Sequence, residues 1–150
     1  MFSAETGVQT NRILMSAFVA WVTAQVLKTV FGLITEGRFN WSKVLGPGGM
    51  PSSHSAFVTS LAVAVGISEG WNSPLFAVAA VFAMVVMYDA AGVRQAAGRQ
   101  ARVLNQLMKE IFEERHLHST KLRELLGHTP FEVIVGAILG GLISLTMLGR

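Results

Sequence analysis

Four apolar stretches alternate with polar connections along the chain, and each is a candidate helix. The stretches are Ile13–Ile34, Ser55–Ser68, Pro74–Ala91 and Phe131–Leu148. A helix needs about 20 mainly apolar residues to cross a bilayer. The pattern therefore predicts an all-α, polytopic membrane bundle of about four transmembrane helices.

The second stretch is short and carries hydroxyl side chains at Ser55, Thr59 and Ser60. A short polar helix is unfavourable against lipid. Its small residues, like the glycines of the fourth stretch, favour close helix packing. Two placements stay open for it: inside the bundle, or partly re-entrant.

The connection Gly92–Gly127 is polar but has apolar residues at helical spacing, which predicts one or two amphipathic helices. These apolar residues are Val103, Leu104, Leu107, Met108, Ile111 and Phe112. We favour a helix that packs on the bundle or on the membrane surface. A dedicated partner-binding helix is the alternative.

Composition strengthens the membrane interpretation. Hydrophobic residues make up 51% of the 150 residues and charged residues 14%, whereas soluble domains carry about 25% charged residues.

The absence of cysteine excludes disulfides and thiolate metal sites. The polar Met1–Asn11 segment lacks the pattern of a cleaved signal peptide. No basic cluster is interleaved with aromatic residues, so we expect no nucleic-acid partner. We expect a single domain over residues 1–150, in a bacterial inner membrane or its organellar equivalent.

The distribution of Lys and Arg predicts the orientation. Arg38 and Lys43 lie in the first connection, whereas Glu69–Ser73 has neither residue type. Cytoplasmic connections carry an excess of Lys and Arg, so we expect the first and third connections in the cytoplasm. The third connection holds seven such residues: Arg94, Arg99, Arg102, Lys109, Arg115, Lys121 and Arg123.

Two histidines stand just before apolar stretches, His54 within Gly49–Ser55 and His128 within Gly127–Glu132. Both would lie on the basic face, at helix N-termini that favour anions. With nearby cations they predict a phosphate site. The alternative is purely structural: Thr129-Pro-Phe-Glu132 is a capping box, and Pro51-Ser-Ser53 is a helix cap.

Two ionisable residues fall within apolar stretches, where charge is costly and tends to be functional. Lys28 lies near enough to the helix end to snorkel. For Asp89 we favour charge pairing with Lys28 or Arg94 over a cation site, and we expect no metal and no cofactor. His116 and His118 have the character of surface residues.

Three motifs in order resemble the divergent branch of the type 2 phosphatidic acid phosphatase superfamily. They are Gly49-Met-Pro-Ser-Ser-His-Ser55, Tyr88-Asp-Ala-Ala-Gly-Val-Arg94 and Gly127-His-Thr-Pro-Phe-Glu-Val133. The superfamily also includes the vanadium haloperoxidases. The resemblance implies a helical fold and a histidine that acts as a phosphoryl nucleophile without metal.

The resemblance assigns roles to individual residues. The family sequence Pro-Ser-Gly-His reads Pro51-Ser52-Ser53-His54 here, so Ser52, Ser53 and backbone N–H groups would bind phosphate. His54 would protonate the leaving oxygen. The family pattern His-x-x-x-Asp reads His128 followed by Glu132, so His128 would attack phosphorus and Glu132 would orient it. For the phosphate-binding cations, Lys28 and Arg38 match the first motif best, and Arg94 and Arg123 are rivals for the arginine of the third.

The leading hypothesis is thus a membrane phosphatase that acts on a lipid phosphate or diphosphate, such as a phosphatidate or a prenyl phosphate. A non-enzymatic phospholipid-binding or transport-related protein is the second hypothesis. A structural membrane subunit is the third, and it expects the two histidines more than about 10 Å apart, beyond the reach of one phosphate. Because four segments make a thin bundle, we also predict a homodimer.

Overall fold

A computed structural model of the chain describes residues 4–37, 49–113 and 127–149. The described residues form five α-helices and no strand. The helices are α1 (Ala4–Glu36), α2 (Ser53–Glu69), α3 (Pro74–Ala91), α4 (Val93–Glu113) and α5 (Pro130–Leu148). This arrangement confirms the predicted all-α membrane bundle with an added amphipathic helix, which is α4.

The helix boundaries follow from local capping signals in the sequence. The hydroxyl of Ser73 accepts the N–H of Phe76 and Pro74 occupies the first turn of α3, where its missing N–H costs nothing. Thr129 caps α5 in the same way. The observed α3 coincides with its predicted stretch, and α5 begins one residue before its own. α2 is longer than predicted at both ends: it begins two residues earlier because Ser52 is its N-cap, and it ends one residue later, at Glu69 before the C-cap Gly70.

The chain reverses direction at each step between α1, α2 and α3. α1 and α3 end where α2 and α5 begin, and this end of the bundle is called the site end below. At the opposite end, the Arg12 guanidinium donates to the carbonyl of Met147, 2.7 Å away. A cation there complements the C-terminal dipole of α5. The turn between α2 and α3 lies at the same opposite end, where Trp71 packs edge-on against Phe76.

α2 is the central helix, since it packs against α1, α3 and α5. Its contact with α5 is close because glycines of α5 lie against the α2 backbone. A Cβ added at Gly136 would collide with the carbonyl of Ser52, and one added at Gly140 would collide with the carbonyl of Ala56. The hydroxyl of Ser144 also donates to the Ser60 carbonyl at 2.7 Å. The observed placement is therefore the first of the two predicted for this stretch, inside the bundle.

Within the described residues, three helical stretches are long and apolar enough to cross a membrane: Arg12–Thr35, a stretch that begins at Pro74, and Pro130–Leu148. Their large apolar side chains are widely exposed, for example those of Phe18, Phe82 and Ile138, as lipid-facing surfaces require. α2 has 17 residues and a length of about 25 Å at 1.5 Å per residue. Its place between three apolar helices explains why small and hydroxyl residues suffice there.

Candidate functional site

The imidazole of His128 is buried at the site end, with 2% of the residue exposed. Its Nδ1 lies 3.1 Å from Oε2 of Glu132, one helical turn later. A carboxylate can only accept hydrogen bonds, so Nδ1 carries the proton in this pair. When the ring is neutral, this arrangement leaves Nε2 unprotonated, the form in which histidine acts as a nucleophile.

Glu132 has a second role in the same place, because it completes the capping box predicted from the sequence. Its Oε2 accepts the backbone N–H of Thr129 at 3.1 Å, and its own N–H donates to the Thr129 hydroxyl at 3.3 Å. The structural and functional interpretations of Glu132 are thus compatible. The cap fixes the carboxylate, and the fixed carboxylate orients the ring of His128.

Two backbone hydrogen bonds connect the start of α5 to other parts of the bundle. The N–H of Ser52 donates to the carbonyl of Glu132 at 3.1 Å, which joins the starts of α2 and α5. The N–H of His128 donates to the carbonyl of Ala90 at the end of α3, also at 3.1 Å. Three elements therefore fix the position of the His128–Glu132 pair.

His54 lies beside this pair, in the first turn of α2, and its side chain is exposed. The ring centroids of His54 and His128 are 6.2 Å apart, with the rings inclined at 62°. This distance is shorter than the separation of more than about 10 Å expected of a purely structural subunit. One buried and one exposed imidazole thus lie close enough to contact the same phosphate group.

Lys28 approaches the site from α1 and is also buried, with 7% of the residue exposed. Its amino group and the carboxylate of Glu132 lie within Coulombic range of each other. The lysine stem lies against Gly49, where an added Cβ would be 3.2 Å from Cε of Lys28. Gly49 has φ of 87°, a conformation that glycine adopts without steric cost. The loop backbone can therefore lie directly on the lysine stem.

The two serines of the second motif are buried at the start of α2. The Ser52 hydroxyl accepts the N–H of Ser55 at 3.4 Å and the hydroxyl of Ser55 at 3.0 Å. Its backbone N–H is engaged by Glu132. These bonds make Ser52 the N-cap of α2, which is the structural alternative for this motif. Ser53 is the first residue of α2 and is 4% exposed.

The remaining predicted site residues are less fully described. Asp89 is half-buried near the end of α3, next to the Ala90 carbonyl that binds His128. Arg38 and Arg123 lie outside the described residues, and so does the side chain of Arg94. Their roles, and the charge pairing of Asp89, stay predictions. Within the described ranges, no group of three His, Asp or Glu residues is arranged to hold a metal ion.

Two contributors to the site were missed in the sequence. The contact of Gly49 with Lys28 was not foreseen, although the Gly48-Gly49 pair before Pro51 is a usable signal for a loop that passes close to another group. The role of Ala90 has no such signal, since its carbonyl acts as an acceptor whatever the side chain.

Two comparisons with known proteins identify the family of the chain. The model of the divergent PAP2 family matches residues 9–143. An uncharacterised membrane protein of Bacillus subtilis (strain 168), YuiD, is 42% identical, in an alignment that covers 92% of this chain and 94% of that protein. No solved structure matches the chain with significance. The chain is an integral membrane protein and belongs to the divergent PAP2 family.

Proposed function

We propose that this protein is a membrane phosphatase that hydrolyses a lipid phosphate or diphosphate through a phosphohistidine at His128. The observation that carries the proposal is the 3.1 Å contact between His128 Nδ1 and Glu132 Oε2, with a second imidazole 6.2 Å away. A nucleophile, an orienting carboxylate and a proton carrier are the groups that phosphoryl transfer to histidine requires.

In the first step, the Nε2 lone pair of His128 attacks the terminal phosphorus, and the bond from that phosphorus to the leaving oxygen breaks. His54, as imidazolium, donates its proton to the departing oxygen, so a lipid phosphate leaves as an alcohol and a lipid diphosphate leaves as a lipid monophosphate. Glu132 stabilises the positive charge that develops on the His128 ring. The position of His54 on the exposed side of His128 suits a proton donor that must contact the leaving group.

In the second step, water attacks the phosphohistidine and the bond between phosphorus and Nε2 breaks. His54, now neutral, removes a proton from that water and returns to its imidazolium form. Inorganic phosphate leaves, and His128 regains its neutral ring. The two steps balance without a metal ion or any other reactant.

The phosphate oxygens need cations and N–H donors. We assign one of these cations to Lys28, which is buried and within Coulombic range of Glu132. We propose that one or more of Arg38, Arg94 and Arg123 complete the cation set, and that N–H groups in the first turn of α2 contribute donors. The location of the site at a membrane end favours a substrate whose phosphate lies at the bilayer surface.

The test is phosphate release by the purified protein in lipid nanodiscs from phosphatidate, diacylglycerol diphosphate and a prenyl diphosphate, with a chelator present. We expect turnover of at least one substrate, and its loss in His128→Asn and His54→Asn. Release that persists in both variants would overturn the assignment. A monodisperse elution profile for each variant is the control for folding.

The two histidines can be separated with an activated leaving group. A p-nitrophenyl phosphate ester needs little protonation on departure, so His54→Asn should still form the phosphoenzyme with it, and then hydrolyse it slowly. Under the same conditions His128→Asn should form none. The covalent product should be labile in acid and stable in base, as a phosphoramidate is.

A second candidate function is binding or transport of a phospholipid without turnover. The 2% exposure of His128 favours it, since a nucleophile must reach phosphorus in line with the leaving group. In that case the charge of Glu132 beside Lys28 would set the affinity of the pocket for an anion. Saturable binding of phosphatidate in nanodiscs, with no phosphate released from any substrate above, distinguishes this function from catalysis.

A further inference from the structure

α4 is an amphipathic helix whose apolar face is not covered by the bundle. It follows α3 after the single residue Gly92, and within the described part of the chain it contacts no helix other than α3. Val93, Val103, Leu104 and Leu107 are each about half exposed. At about 100° per residue these four side chains share one face of the helix, an arc of roughly 100°.

The opposite face of α4 is cationic. Arg102 and Lys109 are exposed there, and Arg99 is exposed at the border between the two faces. In total α4 contains four basic residues against two carboxylates. Interfacial membrane helices combine these same properties: a wide apolar face, a basic polar face and low overall hydrophobicity. The charge of α4 is complementary to a leaflet that contains anionic lipids.

The position of α4 along the chain also brings it to the membrane surface. The helical segment that begins at Pro74 continues to Lys109, a total of 36 residues, and its apolar part is α3. Such a helix is about 54 Å long, whereas the hydrocarbon core is about 30 Å thick. α3 alone nearly spans that core, so α4 begins at the interface. Gly92, with φ −109° and ψ −73°, departs from regular helix values at this junction.

A second copy of the chain is less well suited than a membrane surface to cover the apolar face of α4. A coiled-coil seam needs apolar residues at alternating spacings of four and three. In α4 the seam through Val93, Leu104 and Leu107 would bury Gln100 between the two copies. The same side chain lies within the apolar arc, where the polar headgroup region of a membrane surface can accommodate it. An apolar arc this wide is typical of a helix on an extended apolar surface rather than of a narrow seam.

We propose that α4 lies on the membrane surface at the site end. Its apolar face enters the boundary between headgroups and acyl chains, and its basic residues bind anionic headgroups. This surface contact is independent of the proposed phosphoryl transfer. It also bears on the site, since α4 begins three residues after Ala90, whose carbonyl binds the N–H of His128.

The experiment uses single spin labels in the full-length protein, which has no native cysteine. Labels at Leu104→Cys and Leu107→Cys report the apolar face, and labels at the uncharged positions Asn105→Cys and Gln106→Cys are the matched controls on the other face. Accessibility to oxygen and to a water-soluble nickel chelate is measured in nanodiscs of phosphatidylcholine with phosphatidylglycerol, and in phosphatidylcholine alone.

We expect the apolar-face labels to be accessible to oxygen and several-fold less accessible to nickel than the control labels. The difference in nickel accessibility between the two faces should be smaller in phosphatidylcholine alone. Each basic residue near an anionic surface strengthens the attraction of the helix to that surface by about fivefold. Equal nickel accessibility on both faces would overturn the proposal. Spin broadening at Leu104→Cys that disappears on mixing with unlabelled protein would overturn it in favour of a second copy. A contrast that is the same in both lipids would overturn the role of anionic headgroups.

Discussion

Oε2 of Glu132 accepts two hydrogen bonds at 3.1 Å, one involving Nδ1 of His128 and one from the backbone N–H of Thr129. A single oxygen thus serves the helix cap and the histidine. The two roles can be separated by substitution, because Thr129 takes part in the cap and has no contact with the ring in the bonds described.

Glu132→Gln is expected to lower kcat by about 100- to 10,000-fold, because the amide no longer stabilises charge on His128 or fixes its tautomer. Thr129→Ala is the matched control. It removes the hydroxyl of the cap and should cost about 1 kcal/mol of stability with little change in kcat. Steady-state kinetics and thermal unfolding in detergent measure the two effects. Equal effects of both substitutions on kcat would show that Glu132 acts only as a cap.

Lys28→Gln is expected to weaken phosphate binding by about 10- to 100-fold, the range for loss of a charge-assisted hydrogen bond. The substitution also removes a counter-charge from the Glu132 carboxylate, so the carboxylate repels an anionic ligand more strongly. Inhibition by inorganic phosphate, or calorimetric titration with it, provides the measurement. Arg12→Gln, which removes a cation of α1 at the opposite end, is the control and should leave phosphate affinity unchanged. Unchanged affinity in Lys28→Gln would remove Lys28 from the phosphate site.

Gly140→Ala is expected to destabilise the bundle by about 1–3 kcal/mol, because the new methyl group collides with the Ala56 carbonyl and pushes α2 and α5 apart. Gly141→Ala is the adjacent control. Its Cβ would lie 4.0 Å from a methyl group of Val63, an ordinary contact, so stability should change little. Unfolding in mixed micelles measures both variants. Equal stabilities would contradict the close packing of α2 and α5.

The site end is expected to face the cytoplasm, as the distribution of Lys and Arg predicts. Asn72→Cys lies in the turn at the opposite end, and Gln106→Cys lies in α4. In intact cells a membrane-impermeant maleimide should label Asn72→Cys at once, and Gln106→Cys only after permeabilisation. The reverse pattern would show that the site faces outward.

Local features of the fold were predictable from sequence because they depend on nearby residues. The start of α5 illustrates this, since Thr129, Pro130 and Glu132 contain the whole capping box. The bounds of α3 were predictable for the same reason. The placement of α2 was ambiguous, because its small and hydroxyl residues suit a buried helix as well as a re-entrant one. Contact with three neighbouring helices decides between the two, and that contact is long-range.

For the site, the sequence and the family resemblance identified the side chains but not the way they are held. His54, His128, Glu132 and Lys28 were all candidates, and the structure brings these four together. The interactions that join them come from distant segments, such as Gly49 against Lys28 and the Ala90 carbonyl with His128. Backbone donors and acceptors are alike at almost every residue, so these backbone interactions cannot be predicted from the residue type.

The bond from the Ser52 N–H to the Glu132 carbonyl has a consequence for how the protein can evolve. Both partners are main-chain groups, so exchange of the side chains at either position leaves this bond available. Mutation can therefore alter or abolish the chemistry while the starts of α2 and α5 stay joined. Descendants of one ancestor could share this framework and differ in whether they turn over a substrate, which is how a common fold comes to host different activities.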